Sequence, residues 1–152
     1  MHNDYVKIAN DMALENAINK FKDGGPFGAI IVKDGKIISK ASNSVLKSKD
    51  PTAHAEVNAI RKACQVLGTH DLSGCILYTS CYPCPMCMAS SIWANIKEIY
   101  YNNTKEEADK IGFRDKDIYD FLEGKKTILS LKQVDEHDLT AFNLFEDNKN
   151  IY

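Results

Sequence analysis

The sequence predicts an α/β fold in three layers, α/β/α, built on a five-stranded mixed sheet with helices on both faces. Three observations carry that reading. Two apolar, β-branched runs flank Asp34-Gly35, the dipeptide of a tight hairpin turn. Further on, strand-like residues 75–80, helical residues 83–95 and strand-like residues 98–102 form a strand–helix–strand unit, whose connection implies parallel pairing. Amphipathic segments elsewhere supply helices to cover both sides of the sheet.

The elements follow in order. Residues 4–21 space Tyr5, Ile8, Met12, Ala13, Ala17 and Phe21 near the helical period, and Gly24-Gly25-Pro26 stops that helix. Residues 27–33 and 36–42 are the hairpin strands, with Asn43 at the end of the second, and residues 44–50 read as a polar loop. Asp50-Pro51 reads as an N-cap with proline at the first helical position, opening a helix to Leu67 that Gly68 ends. Thr104 to Glu107 is a capping box for a helix closed by Gly112. Residues 113–122 are weakly helical, residues 127–134 alternate as a fifth strand, and residues 139–147 form a short terminal helix. No repeat or linker divides the chain, so residues 1–152 are expected to form a single domain.

Composition narrows the function classes. The 19 basic residues against 21 acidic ones give a net charge of −2, without the basic surplus that a polyanion-binding protein usually carries. The substrate is therefore expected to be a small molecule, with no nucleic acid and no membrane involved. The first residues lack a basic segment followed by an apolar run, and no stretch is long enough to span a bilayer. Five cysteines, three of them within seven residues, fit metal chemistry in a reducing, cytoplasmic compartment better than a disulfide framework.

The chemistry concentrates in two clusters. The first is Pro51-Thr52-Ala53-His54-Ala55-Glu56, and the second is Cys81-Tyr82-Pro83-Cys84-Pro85-Met86-Cys87. Cysteines three apart at a helix start lie on one face and can both reach one metal, where the helix N-terminus favours their thiolate forms. His54 supplies a third ligand. Three protein ligands leave zinc one open position, which is the catalytic and not the structural arrangement. Glu56, diverging from His54 on the helix, is free to carry protons beside that position. Cys64 and Cys75 read as buried apolar residues, while His2, His70 and His137 read as surface residues. Cys81 is either a neighbour of the metal site or a spare thiol. Phe27 and Trp93, on position alone, read as core packing.

With these residues in view, the chain resembles the cytidine deaminase-fold superfamily, and within it the small bacterial guanine deaminases. The resemblance spans nearly the whole chain. Its strongest parts are residues 24–29, 50–56 and 78–87, with Ile92-Trp93-Ala94 and Ile111-Gly112-Phe113 in support. It implies that His54, Cys84 and Cys87 hold one Zn2+ per chain and that Glu56 shuttles protons. It also implies that Asn43, Phe27, Ala55 and Trp93 contact a purine base and that Asp115 assists proton transfer at the amino group. The resemblance further implies a homodimer that swaps its C-terminal segment, about residues 136–152, bringing Tyr152 over the partner's site. Tyr82 stands where the family usually has Glu, and Arg114 where it often has Asp.

The expected activity is zinc-dependent hydrolysis of guanine to xanthine and ammonia. Three alternatives stay open: deamination of cytosine, cytidine or another aminated ring; deamination of adenosine in tRNA; and a zinc-stabilised binding module without activity.

Overall fold

The computed structural model describes residues 1–148 and 150–152. The hairpin forms as expected. β1 (Gly28–Lys33) and β2 (Lys36–Ser42) pair antiparallel across Asp34 and Gly35, whose φ angles of 50° and 73° match the two positive values of a tight twisted turn. β3 (Cys75–Cys81) lies antiparallel beside β1 and parallel beside β4 (Glu98–Asn103), giving the order β2-β1-β3-β4.

The sheet among the described residues thus has four strands, not the five expected. Residues 127–134 alternate in hydropathy but find no partner strand among the described residues. Leu129, Leu131 and Val134 all stay exposed, so the alternation buries no face. A strand pattern needs a free edge and an apolar surface to settle on, and this segment reaches neither in its own chain.

Helices cover both faces. α1 (His2–Ile18) lays Tyr5, Val6 and Ile8 against Ile30, Val32 and Tyr78. His2 is not the free surface residue the sequence suggested. Its Nδ1 lies 2.7 Å from the Tyr78 hydroxyl and its ring stacks on Tyr100 at 4.0 Å. Tyr78 is buried, and a buried hydroxyl requires a partner.

On the opposite face, α3 (Ala55–Leu67) sets Ala55, Ala59 and Ala63 at four-residue spacing against Ala29, Ile31 and Leu77. α4 (Pro85–Trp93) makes the β3–β4 crossover and meets α3 through Val57, Cys84 and Cys87. A short α2 (Val45–Ser48) occupies what read as a loop. α5 (Lys105–Lys110) has both hydrogen bonds of the expected Thr104–Glu107 capping box. α6 (Asp115–Leu122) and α7 (Thr140–Asn148) complete the chain. No helix of the described residues is long and apolar enough to cross a membrane.

One boundary shift affects the site. α3 begins at Ala55, not at Pro51, because Asp50 closes a turn instead of capping the helix. Its Oδ1 accepts from Thr52 N at 2.8 Å and from Thr52 Oγ1 at 2.7 Å, and its carbonyl accepts from Ala53 N at 3.1 Å. The helix cap therefore falls to His54.

Candidate active site

Both metal-ligand candidates that precede a helix stand at its N-cap. His54 (ψ 156°) caps α3 and Cys84 (ψ 167°) caps α4, each with extended backbone and no side-chain capping bond. Their side chains are therefore left free for a ligand. Pro85 at the first position of α4 holds the helical φ without needing a hydrogen bond to its nitrogen. Cys87, two residues further on, is buried beside Cys84.

The geometry suits zinc. His54 Nδ1 lies 3.5 Å from Cys84 Sγ and 3.5 Å from Cys87 Sγ, and the three donor atoms lie within 4.8 Å of one another. Tetrahedral zinc, with bonds of about 2.0–2.1 Å to nitrogen and about 2.3 Å to sulfur, sets its N···S separations near this value. One imidazole and two thiols are also a donor set that zinc favours. The neighbouring Cys87 thiol, and next His54, hold the Cys84 thiol well below the ordinary cysteine range, and Cys87 is pushed up in turn.

Glu56 occupies the first turn of α3 and is buried. Burial, and next the Cys84 charge, push its carboxyl up to about 7, while a hydrogen bond from Cys87 opposes them. A bound Zn2+ pulls in the opposite direction, towards the carboxylate. Asp115, the first residue of α6, is half-buried, and burial followed by the Cys84 charge raises its pKa.

All of these groups except the buried Cys87 line one cavity of about 730 Å³. His54, Glu56, Cys84 and Asp115 border it together with Asn43, Phe27, Phe113, Tyr82 and Arg114. Phe113 meets the edge of Phe27 at 4.7 Å and 83°. Asn43 accepts from Val45 N through Oδ1 at 3.1 Å, and among the described residues its Nδ2 has no protein acceptor.

The remaining expected contacts fall elsewhere. Ala55 is fully buried at the start of α3, within the core. Trp93 is 68% exposed at the end of α4, and Tyr152 is 76% exposed with its ring 6.1 Å from Trp93 and 6.0 Å from His70. Neither ring borders the cavity of its own chain.

Two polar residues that sequence reading passed over support the site. Asn16, buried on α1, donates through Nδ2 to Gly25 O at 2.7 Å and Asn43 O at 2.9 Å. Asn58, on α3, donates to Ser42 O at 3.1 Å and Ser44 Oγ at 2.9 Å. Their signal in the sequence is faint: each is a single amide close to the apolar face of an amphipathic helix.

The family model for the cytidine and deoxycytidylate deaminase zinc-binding region matches residues 1–103. The chain belongs to this zinc-binding deaminase family. A relative from Bacillus subtilis (strain 168), named guanine deaminase, is 52% identical over 118 residues, which cover 78% of this deaminase and 74% of the relative. The X-ray structure of guanine deaminase from the same species superposes with a TM-score of 0.86 at 43% identity, covering 100% of this chain and 98% of that one. A tRNA-specific adenosine deaminase from Aquifex aeolicus is 49% identical over 92 residues, covering 60% of this deaminase and 61% of the relative. The family binds zinc, and His54, Cys84 and Cys87 form the group in this deaminase that can hold one ion.

Proposed function

We propose that this deaminase hydrolyses guanine to xanthine and ammonia. The observation that carries the reading is that a His/Cys/Cys metal set reaches one cavity through His54 and Cys84, beside the buried carboxyl of Glu56 and the free amide of Asn43. The substrate follows from the likeness to the Bacillus subtilis guanine deaminase, which extends over most of both chains. The tRNA-deaminase reading has less support, since that likeness stops at 60% of the chain and the net charge is −2.

Asn43 Nδ2 is the donor for the acceptor edge of the purine, where guanine carries O6 and N7. Its amide orientation is set by Val45 N, which engages Oδ1. Phe27 offers a face to the ring, braced by Phe113.

His54, Cys84 and Cys87 would hold zinc, which would supply the Lewis acidity that makes water a nucleophile at neutral pH. Glu56 takes the proton of the attacking water as its oxygen adds to the amino-bearing carbon, and delivers that proton to the adjacent ring nitrogen. Asp115 protonates the amine, which departs as ammonia when the carbon–nitrogen bond breaks, and the proton that the new hydroxyl loses in becoming the product carbonyl restores Asp115. Two carboxyls in different surroundings allow the two roles to divide.

The C-terminal segment belongs to the same proposal. Phe142, Leu144, Phe145, Ile151 and Tyr152 are exposed in the single chain, as are Leu129 and Leu131, and among the described residues the outer edge of β4 has no strand beside it. An apolar segment without a core and an open sheet edge both call for a partner. A homodimer that exchanges residues 136–152 covers them and brings Tyr152 to the partner's cavity. The free cysteines fit a reducing, cytoplasmic setting.

The test is ammonia release from guanine, cytosine, cytidine, adenosine and ammeline by the zinc-loaded protein. Guanine is expected to be the preferred substrate by a wide margin. Preference for a pyrimidine or for adenosine sinks the reading.

A further inference from the structure

α6, which carries Asp115, has little burial to fix its place. None of its residues is buried, and it packs mainly on α5 and α4. The chain approaches it through Gly112 at φ 100° and leaves through Gly124 at φ 78°, conformations that glycine adopts without strain. A short helix without an inserted apolar face depends on specific tertiary contacts for its position.

Tyr119 provides one. It lies four residues after Asp115, so the two side chains share a face one turn apart. Its hydroxyl donates to the carbonyl of Pro83 at 2.6 Å. Pro83 is fully buried and immediately precedes Cys84. Around this bond, the Tyr82 ring meets Tyr119 at 5.9 Å and 62°, and Lys105 Nζ stands 4.9 Å over the Tyr119 ring. Tyr119 does not border the cavity, so it has no direct contact with the substrate space. Burial pushes its hydroxyl well above the ordinary tyrosine range, which keeps it a donor throughout the working pH range.

We propose that Tyr119 is a positioning residue: its bond to the Pro83 carbonyl ties α6 to the turn bearing Cys84 and thereby sets where Asp115 meets the departing amine. The inference rests on the assignment of Asp115 to amine protonation. A single oriented hydrogen bond is enough for this purpose, because displacing a reacting group by about 1 Å can cost about a hundredfold in rate.

The test uses full-length, zinc-loaded protein in four forms: wild type, Tyr119→Phe, Asp115→Asn and the double variant. Tyr119→Phe is expected to keep one zinc per chain and a KM for guanine within about twofold of wild type, while kcat falls about tenfold or more. Amide hydrogen exchange over residues 113–122 is expected to quicken, with α3 and α4 still protected. The double variant is expected to be no slower than Asp115→Asn alone, since Tyr119 acts through Asp115. Wild-type kcat in Tyr119→Phe overturns the proposal, as do losses that add in the double variant. Loss of zinc or failure to fold in Tyr119→Phe also overturns it, by placing the hydroxyl in the scaffold of the metal turn. Wild-type turnover in Asp115→Asn removes the Asp115 assignment itself and the proposal with it; additivity after a slow Asp115→Asn removes the Tyr119 link alone.

Discussion

Asn16 holds Asn43 from behind: its Nδ2 donates to the Asn43 carbonyl at 2.9 Å from the buried side of α1, and to the Gly25 carbonyl at 2.7 Å. One amide thus joins two loops that line the same end of the cavity. Asn16→Ala leaves two carbonyls without this donor, at a cost of about 1–3 kcal/mol. The expected outcome is a lower unfolding midpoint together with a raised KM for guanine and retained zinc. Denaturation curves and steady-state kinetics check it, and an unchanged KM contradicts it.

Gly24 tests the same end of the cavity by crowding. A Cβ there meets Asn43 Oδ1 at 2.2 Å and the Asn43 carbonyl oxygen at 2.7 Å, so the side chain and its backbone have to move. Gly24→Ala is expected to lower kcat/KM for guanine by at least about tenfold, the scale of one misplaced polar contact. Gly35→Ala is the control: φ is 73° and a Cβ finds open space, so the change costs about 1–2 kcal/mol of stability through backbone strain and leaves KM unchanged.

Glu56→Gln keeps the side-chain shape and removes the proton carrier. Turnover is expected to fall by about 10²–10⁴, with one zinc still bound per chain. Metal analysis beside single-turnover kinetics measures both at once. Near-normal turnover with zinc bound refutes the role given to Glu56.

Removing zinc with a chelator separates an enzyme from a metal-held scaffold. The two core clusters on either face of the sheet do not include the metal site. Chelation is therefore expected to abolish activity while the far-ultraviolet circular dichroism stays native, and returned zinc restores activity. Collapse of the secondary structure on chelation contradicts this.

Deleting Tyr152 tests the exchanged tail. In its own chain the ring rests near Trp93 and His70, away from the cavity. The truncated protein is expected to lose turnover on guanine while keeping zinc. Mixed dimers of this truncation with Glu56→Gln are expected to regain part of the activity, since one of their two sites then has both Glu56 and a tail. Full activity in the truncation rules the arrangement out.

Much of the fold was legible because its signals are local. Asp34-Gly35 fixes its hairpin through two backbone angles, and Thr104 with Glu107 caps α5 through bonds three residues apart. The start of α3 misled because Asp50-Pro51 satisfies the rules for a turn and for a helix cap equally well, and only the packing of Ala55 onto the sheet selects the turn. Residues 127–134 misled for the converse reason. Their alternation is a true strand pattern, but pairing is a property of a neighbour that the segment does not carry within itself.

By itself the sequence determined the donor chemistry. His54, Cys84 and Cys87 stand out as a group that can hold one zinc ion, because residue type and spacing at two helix starts are enough to pick out such ligands. Only the tertiary structure decided what surrounds that site. The bonds from Asn16 to Asn43 and from Tyr119 to Pro83 span 27 and 36 residues. No local pattern encodes such contacts: they exist because α1 and α6 are brought against loops distant in the chain, and a polar side chain declares its partner only once burial has removed water as the alternative.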